Sequence, residues 1–266
     1  MNKHLFGLNI RQHWVVVVGI TAVLLMYASI AAWMFNPESA EAINDFLGVL
    51  PETFIKALGF DGLGTDLTTY LANYLFGFIY LMFPMLFVLF IAPKLIGKPI
   101  DSGSMVYLVA TPLRRSTIAI TQILFLFDAL FFVFAVNFIA TYAISEIRFP
   151  GMLDVAGYLM LNVITYLVIG LLASIVFFMS VLPIDYGKAQ GIAISFSVYA
   201  FIANALYKLS DSLSFLQYTT IFRFIDIEQA LQSDATIWLT IGIVSVLTLV
   251  FLAASVWVFE KRPLNI

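Results

Sequence analysis

Six long apolar stretches limit what this chain can fold into more than any other feature of its sequence. A helix needs about 20 mostly apolar residues to cross the hydrocarbon core of a bilayer. Each stretch has about that length or more and carries at most one charged side chain. They predict an all-α polytopic membrane protein that forms a single transmembrane domain over residues 1–266. The six transmembrane helices are predicted at residues 13–35, 70–92, 117–144, 155–181, 190–208 and 236–259.

The composition supports a membrane location. Apolar residues make up 62% of the chain and charged residues only 11%, whereas about a quarter of the residues in a soluble domain are charged. A soluble fold of this composition would expose too much apolar surface to water. Ahead of the first span, HLFGLNIRQ at residues 4–12 predicts a short interfacial helix.

The basic residues predict which side of the membrane each loop occupies. Of the 13 lysines and arginines, nine lie on the side that holds both termini and four on the other. Because cytoplasmic loops carry an excess of Lys and Arg, both termini are predicted in the cytoplasm, with the chain in the cell (plasma) membrane. The nine are Lys3, Arg11, Lys94, Lys98, Arg114, Arg115, Lys188, Lys261 and Arg262, and the four are Lys56, Arg148, Lys208 and Arg223.

Two long segments between spans are then external. Residues 36–69 have apolar residues at helical spacing on either side of Pro51, which predicts two short amphipathic helices. Residues 209–235 are too apolar for a free loop and too charged for a span. That second segment is predicted to dip into the outer leaflet or to pack on the helix bundle.

The sequence offers no catalytic or metal-binding motif. It has no cysteine, and its only histidines are His4 and His13, without the spacing of a paired metal site. The two Gly-Lys pairs, Gly97–Lys98 and Gly187–Lys188, are followed by Pro99 and Ala189 instead of Ser or Thr, so a phosphate-binding loop is not present. We therefore expect no enzyme activity and no bound cofactor in this chain. The net charge of −3 gives no support to a nucleic-acid partner.

A polar interruption between the second and third spans is the most informative stretch. Asp101 or Ser102 can cap a short helix that runs to about Ala110. Its apolar face would consist of Met105, Leu108 and Val109, with Ser104, Tyr107 and Thr111 pointing away.

A second helix is predicted to start at Thr111 and Pro112 and to continue into the third span. Arg114 and Arg115 would then lie in its first turn, where the helix dipole disfavours cations. Two explanations for the arginines stay open: anchoring to an anionic inner leaflet, or contact with an acidic cytoplasmic partner.

This stretch, DSGSMVYLVATPLRRSTI at 101–118, resembles the segment after the second span in ABC-2-type transporter permeases, the membrane subunits of bacterial ABC exporters. There an acidic, glycine-containing start leads to a hydrophobic core, Ser/Thr-Pro and a basic pair. Three other stretches are similar to the family in the same order along the chain: LPETFIKALGF at 50–60, FLQYTTIFRFID at 215–226 and the C-terminal FEKRPLNI.

The resemblance implies an ABC-2-type exporter fold and two kinds of partner. The chain would pair with a second permease chain, identical or related, and sit on two copies of a separate ATP-binding-cassette ATPase subunit that binds ATP and Mg. The short cytoplasmic helix at about 101–111 would be the coupling helix. Its implied contact residues are Asp101, Ser104, Met105, Tyr107, Leu108, Val109, Thr111, Pro112, Arg114 and Arg115.

Polar residues inside the spans are candidates for a translocation path. Asp128 lies near the middle of the third span, where a lipid-facing carboxylate costs several kcal/mol. It should face protein or water, be protonated, or have a partner. Asn137, Asn162 and Asn204 are the other candidates, and hydrogen bonding between helices is the alternative explanation for all four. The aromatic, weakly charged spans favour a hydrophobic or amphipathic substrate such as a peptide, lipid or drug.

Two other functions remain open from the sequence. One is a stand-alone secondary transporter or channel that uses Asp128 as a proton or ion site. The other is a non-transporting membrane protein, for example an immunity or scaffold component.

Overall fold

Helices account for almost all of the residues that the structure describes. The computed structural model describes residues 2–36, 66–110, 113–182, 185–208, 211–232 and 235–262, and these residues contain helices and no strand. Six of the helical segments are long and apolar enough to cross a membrane. Helices satisfy every backbone N–H and C=O within one segment, as lipid requires. The predicted all-α, six-span membrane architecture is confirmed at this level.

Ten α-helices and three other helical segments follow one another along the described residues. The α-helices are α1 (Lys3–Met34), α2 (Leu67–Leu71), α3 (Tyr80–Leu95), α4 (Gly97–Asp101), α5 (Met105–Val109), α6 (Arg115–Arg148), α7 (Val155–Val181), α8 (Tyr186–Tyr207), α9 (Ile227–Leu231) and α10 (Ala235–Lys261). A π-helix (Ala72–Ile79) joins α2 to α3, and two 3₁₀-helices (Asp211–Tyr218 and Ile221–Phe224) precede α9.

The first span is longer than predicted. Residues 4–12 do not form a separate interfacial helix, because α1 runs without a break from Lys3 to Met34. The Asn2 side chain caps it by accepting a hydrogen bond from the N–H of Leu5. Nothing in HLFGLNIRQ breaks a helix strongly, since one glycine inside a helix costs only about 1 kcal/mol.

The second span is irregular in its outer half. Asp66 accepts a hydrogen bond from the N–H of Thr69 and starts the span. The π-helix follows and ends just before Tyr80, whose ψ of −5° departs from helical values. Tyr80 is four residues before Pro84, and a proline ring clashes with the carbonyl at that position. The irregularity of this span therefore lies in the turn before Pro84.

Two helices form the centre of the bundle. α3 and α7 pack against each other, and their spans are the most buried of the six. α1 lies along α6, while α10 packs against α7 and α6 and is the least buried span. The outer surfaces of α1, α6 and α10 carry many exposed apolar side chains, as a lipid-facing surface should.

The second external segment packs on the bundle, which is one of the two predicted arrangements. The Thr220 hydroxyl donates to the carbonyl oxygen of Ala200 at 2.7 Å. Phe222 is buried and meets the ring of Phe201 edge-on. The first external segment, with its two predicted amphipathic helices, lies for the most part at residues 37–65, outside the described residues.

Alternate loops meet at opposite ends of the bundle. At one end, which we call the inner end, the N–H of Asn2 donates to the Thr121 hydroxyl at 2.9 Å. The Arg262 side chain there donates to the carbonyl oxygen of Val181 at 3.2 Å. At the other end the N–H of Asp154 donates to the Thr68 hydroxyl at 2.8 Å. These contacts agree with six consecutive crossings.

Candidate functional site

The polar interruption at the inner end forms two short helices rather than one. Asp101 is the last residue of α4, and α5 begins only at Met105. The predicted single helix with Asp101 or Ser102 as its cap is therefore wrong. Gly103 adopts a φ of +72°, which a residue with a side chain rarely tolerates, and its N–H donates to the carbonyl of Ile100. This glycine turns the chain between the two helices.

The predicted apolar face of α5 exists and packs on the protein's own bundle. Met105 is buried, and Leu108 and Val109 are half-buried against the same core. Tyr107 points away and is 80% exposed, next to the exposed side chain of Ser104. The part of this segment that is open to a partner is thus its tyrosine and hydroxyl side.

Asp101 is exposed at the end of α4, on the side of Tyr186. The remaining candidates Thr111 and Pro112 lie outside the described residues.

The two arginines after this segment have different surroundings. The third long helix begins at Arg115, with Arg114 at its cap position, so the predicted start at Thr111 and Pro112 is wrong. The Arg115 side chain donates to the backbone carbonyl of Arg262 at 2.7 Å and lies 3.5 Å from that of Glu260. Helix C-termini leave carbonyls without intrahelical partners and attract cations. Arg115 therefore caps α10.

Arg114 remains exposed at the surface. Sequence reasoning did not predict that Arg115 caps α10, because the carbonyls that it contacts lie 145 and 147 positions further along the chain. The Arg262 side chain is itself partly buried at this junction, and burial lowers its pKa from the ordinary value.

Asp128 lies on the outward surface of α6 and is exposed. It follows exposed Leu124 and precedes exposed Phe131 along one helix face. Within a single chain it therefore faces neither the bundle core nor the asparagines that share its candidate role. The expectation that Asp128 faces the interior of its own chain is therefore not met, because its side chain lies on the outer surface.

One of the candidate asparagines belongs to a buried polar cluster and a second lies beside it. We define the cluster as Tyr80, Thr141, Tyr158 and Asn162, and Asn137 adjoins it. The hydroxyl of Tyr158 faces those of Tyr80 and Thr141 and the amide of Asn162. The Thr141 hydroxyl donates to the backbone carbonyl of Asn137 at 2.8 Å. Helices α3, α6 and α7 each supply part of the cluster.

Several polar atoms in and beside this cluster have no hydrogen-bond partner among the residues that the structure describes. Within the described part of the chain, the Asn137 and Asn162 side-chain amides donate to carbonyls of their own helices, those of Val133 and Tyr158. Buried polar atoms in native proteins are normally paired. The atoms without a partner here are Tyr80 Oη, Tyr158 Oη, Asn137 Oδ1, Asn162 Oδ1 and, one turn further along α6, Ser145 Oγ.

Aromatic rings surround the polar cluster. The Phe76 ring lies 4.7 Å from that of Tyr80 and 5.7 Å from that of Tyr158. Phe134 and Phe138 close it from α6. The cluster can accept and donate hydrogen bonds but carries no charged group, so it suits water or a polar uncharged group.

Asn204 is carried by α8, which contributes nothing to the cluster. It is buried, and its Oδ1 also has no hydrogen-bond partner in the part of the chain that the structure describes. No group of three or more metal-ligating side chains occurs among the described residues.

Comparison with known proteins adds no identification: no family model, no curated protein and no solved structure matches this chain.

Proposed function

We propose that this chain is the membrane subunit of an ABC-2-type exporter, driven by a separate ATPase subunit. A single observation carries the proposal: α5 stands at the inner end, between the second and third spans, with Tyr107 80% exposed. Met105 is buried beneath α5, so the helix that carries Tyr107 is anchored on the bundle. An outward-facing aromatic residue is a common anchor of protein interfaces.

The proposal also includes the partners. Two such chains, identical or related, would assemble with two ATPase subunits, which would bind ATP and Mg²⁺. The substrate would be hydrophobic or amphipathic, because the spans are aromatic and carry few charges. The buried polar cluster, with its unpaired oxygens, is the place in one chain where a path through the bundle could be hydrated.

The experiment compares Tyr107→Ala with Tyr218→Ala. Both tyrosines are largely exposed, and Tyr218 lies at the opposite end of the bundle, so it serves as the matched control. Each tagged chain is purified from its native membranes, and the co-purified ATPase activity is measured per mole of chain. Loss of an interface anchor commonly costs more than about 1 kcal/mol, so Tyr107→Ala is expected to lower the co-purified activity several-fold.

Tyr218→Ala is expected to keep the wild-type level. A wild-type preparation without any ATPase subunit would refute the exporter proposal. Equal activities in the wild type and in Tyr107→Ala would remove α5 as the coupling element. Leu108→Asp is a poor test, because Leu108 packs on the chain's own core and its replacement would disturb the fold.

A further inference from the structure

A basic cavity lies at the inner end of the bundle, beside α5, and Ser104 from the exposed side of that segment is part of its lining. It has a volume of about 320 Å³ and opens to the surface. Three parts of the chain form it: α1, the end of α3, and the turn that contains α4. Its lining residues are Gln12, His13, Lys94, Lys98, Pro99, Ser102 and Ser104.

Every side chain with a polar atom in this lining can donate a hydrogen bond, and none is acidic. Lys94 and Lys98 form no ion pair with any residue that the structure describes. The nearest acid in sequence, Asp101, is on the side of Tyr186 and is not part of the lining. Two ammonium groups that share a cavity repel each other unless an anion lies between them.

The two serines are arranged for an acceptor ligand. Their hydroxyl oxygens lie 2.9 Å apart, and each reaches the Pro99 carbonyl only at 3.4 Å. The left-handed turn at Gly103 separates them and places both on the same side. The bonds to Pro99 are long and weak, whereas the 2.9 Å contact is a hydrogen bond between the two hydroxyls. The hydroxyl that accepts this mutual bond can turn its own proton towards an oxyanion at little cost, and the other can do so by exchanging the mutual bond for a bond to the oxyanion.

The surroundings of the cavity are those of a membrane interface. The Lys94 ammonium lies 6.0 Å from the ring centre of Phe90, which is 52% exposed one turn closer to the middle of the span. Trp14 follows His13 on α1 and is 55% exposed. Tryptophan is enriched at the level of lipid headgroups, and an exposed Phe90 offers apolar surface to an acyl chain.

We propose that this cavity binds a phosphate oxyanion, supplied by the headgroup of an anionic phospholipid. The phosphate would lie between Lys94 and Lys98 and accept hydrogen bonds from the two serine hydroxyls. The acyl chains would extend along the exposed ring of Phe90. A free inorganic phosphate would satisfy the lysines and serines but would leave the apolar surface unused.

The test measures lipid binding to the purified full-length chain in detergent. Phosphatidylglycerol, phosphatidylcholine or inorganic phosphate is titrated, and bound lipid is counted by native mass spectrometry while thermal unfolding is recorded. Basic residues near a membrane surface each contribute about 1 kcal/mol to the attraction of anionic lipid. Lys94→Gln/Lys98→Gln is therefore expected to weaken phosphatidylglycerol binding roughly ten- to thirty-fold.

A matched control removes two charges at the same end but outside the cavity. Lys188 pairs with Asp185 at 3.0 Å, and Lys261 stacks over the Trp257 ring. Lys188→Gln/Lys261→Gln is expected to bind phosphatidylglycerol as the wild type does, and phosphatidylcholine is expected to bind equally weakly to all three proteins. Lys94→Arg/Lys98→Arg is expected to restore binding, because it restores both charges.

Three results would overturn the proposal. The first is equal phosphatidylglycerol binding by the wild type and Lys94→Gln/Lys98→Gln. The second is an equal loss in the control double variant, which would mean that overall charge alone is responsible. The third is stabilisation by inorganic phosphate as large as that by the lipid. If Lys94→Gln/Lys98→Gln does not fold, the same binding measurement on the single variant Lys98→Gln tests the proposal, because Lys98 is exposed and its replacement should not disturb the fold.

Discussion

At the scale of the residue, identical side chains have different roles according to what lies opposite them. Arg114 and Arg115 are adjacent in sequence, yet only Arg115 reaches the last carbonyls of α10. The same contrast separates Asp128, on the outer surface of α6, from Asn137, which is fully buried in that helix. A position within a span therefore does not by itself indicate a role in a path.

Replacing each arginine by alanine separates the two roles. Arg115→Ala removes the 2.7 Å charge-assisted hydrogen bond to the end of α10, an interaction worth about 1.5–3 kcal/mol. It is expected to lower the thermal unfolding temperature of the purified chain. Arg114→Ala changes an exposed side chain and is expected to alter the stability by less than about 0.5 kcal/mol. Equal unfolding temperatures for the two variants would contradict the capping role.

At the scale of the element, prediction succeeded where strong local signals lie at both ends of a helix. The bounds of α7 match the predicted span at residues 155–181, because Asp154 caps its start and Pro183 follows its end. Existence and number of spans were predictable from apolar length alone. The start of α1 was missed, since Asn2 offers the only cap and the polar residues after it tolerate a helix.

The functional segment was less predictable than the spans. The pattern of Met105, Leu108 and Val109 gave the correct face, but not what that face packs against. Nothing local shows that Gly103 takes the left-handed conformation and divides the helix. The buried cluster forms because Tyr80 and Tyr158 come together from different helices. A pattern of hydrophobic residues along the sequence does not predict such a contact between helices.

The docking of α9 on α7 gives a test at the same scale. A Cβ atom added at Gly157 would lie 2.6 Å from an Asp154 carboxylate oxygen and 2.8 Å from the backbone carbonyl of Leu231. Gly157→Ala is therefore expected to destabilise the chain by about 1–3 kcal/mol. Gly191 in α8 has open space around it, so Gly191→Ala should keep or raise the stability. Unfolding temperatures in detergent distinguish the two, and an unchanged value for Gly157→Ala would refute the tight packing.

At the scale of the whole molecule, the contacts between loops show at which end of the helix bundle each loop lies. The segments around Gly97 and Tyr186 meet at the inner end, where the glycine leaves room for the tyrosine ring. The 3₁₀-helices and α9 lie at the other end, against α8 and α7. Which end faces the cytoplasm rests on the bias of the basic residues.

Single cysteines test that orientation cleanly, because the chain has none of its own. Ser102 and Ser214 are exposed at opposite ends of the bundle. With a membrane-impermeant thiol reagent, Ser214→Cys is expected to react in intact cells and Ser102→Cys only after permeabilisation. The reverse labelling pattern would show that the orientation is opposite to the predicted one. Labelling of both cysteines from the same side would contradict six crossings.

The pairing of α1 with α6 has a mechanical consequence. Asn9 bonds to Gln122 near one end of the pair, and the Arg148 guanidinium lies 4.2 Å above the Trp33 ring at the other. Helices of 32 and 34 residues are roughly 50 Å long at 1.5 Å per residue, against a hydrocarbon core of about 30 Å. Fastened at both ends, they form a stiff rod, and a tilt of about 5° would shift one tip by roughly 4 Å relative to the other. A tilt of this size would thus displace the two ends of the pair, relative to each other, by more than the width of an atom.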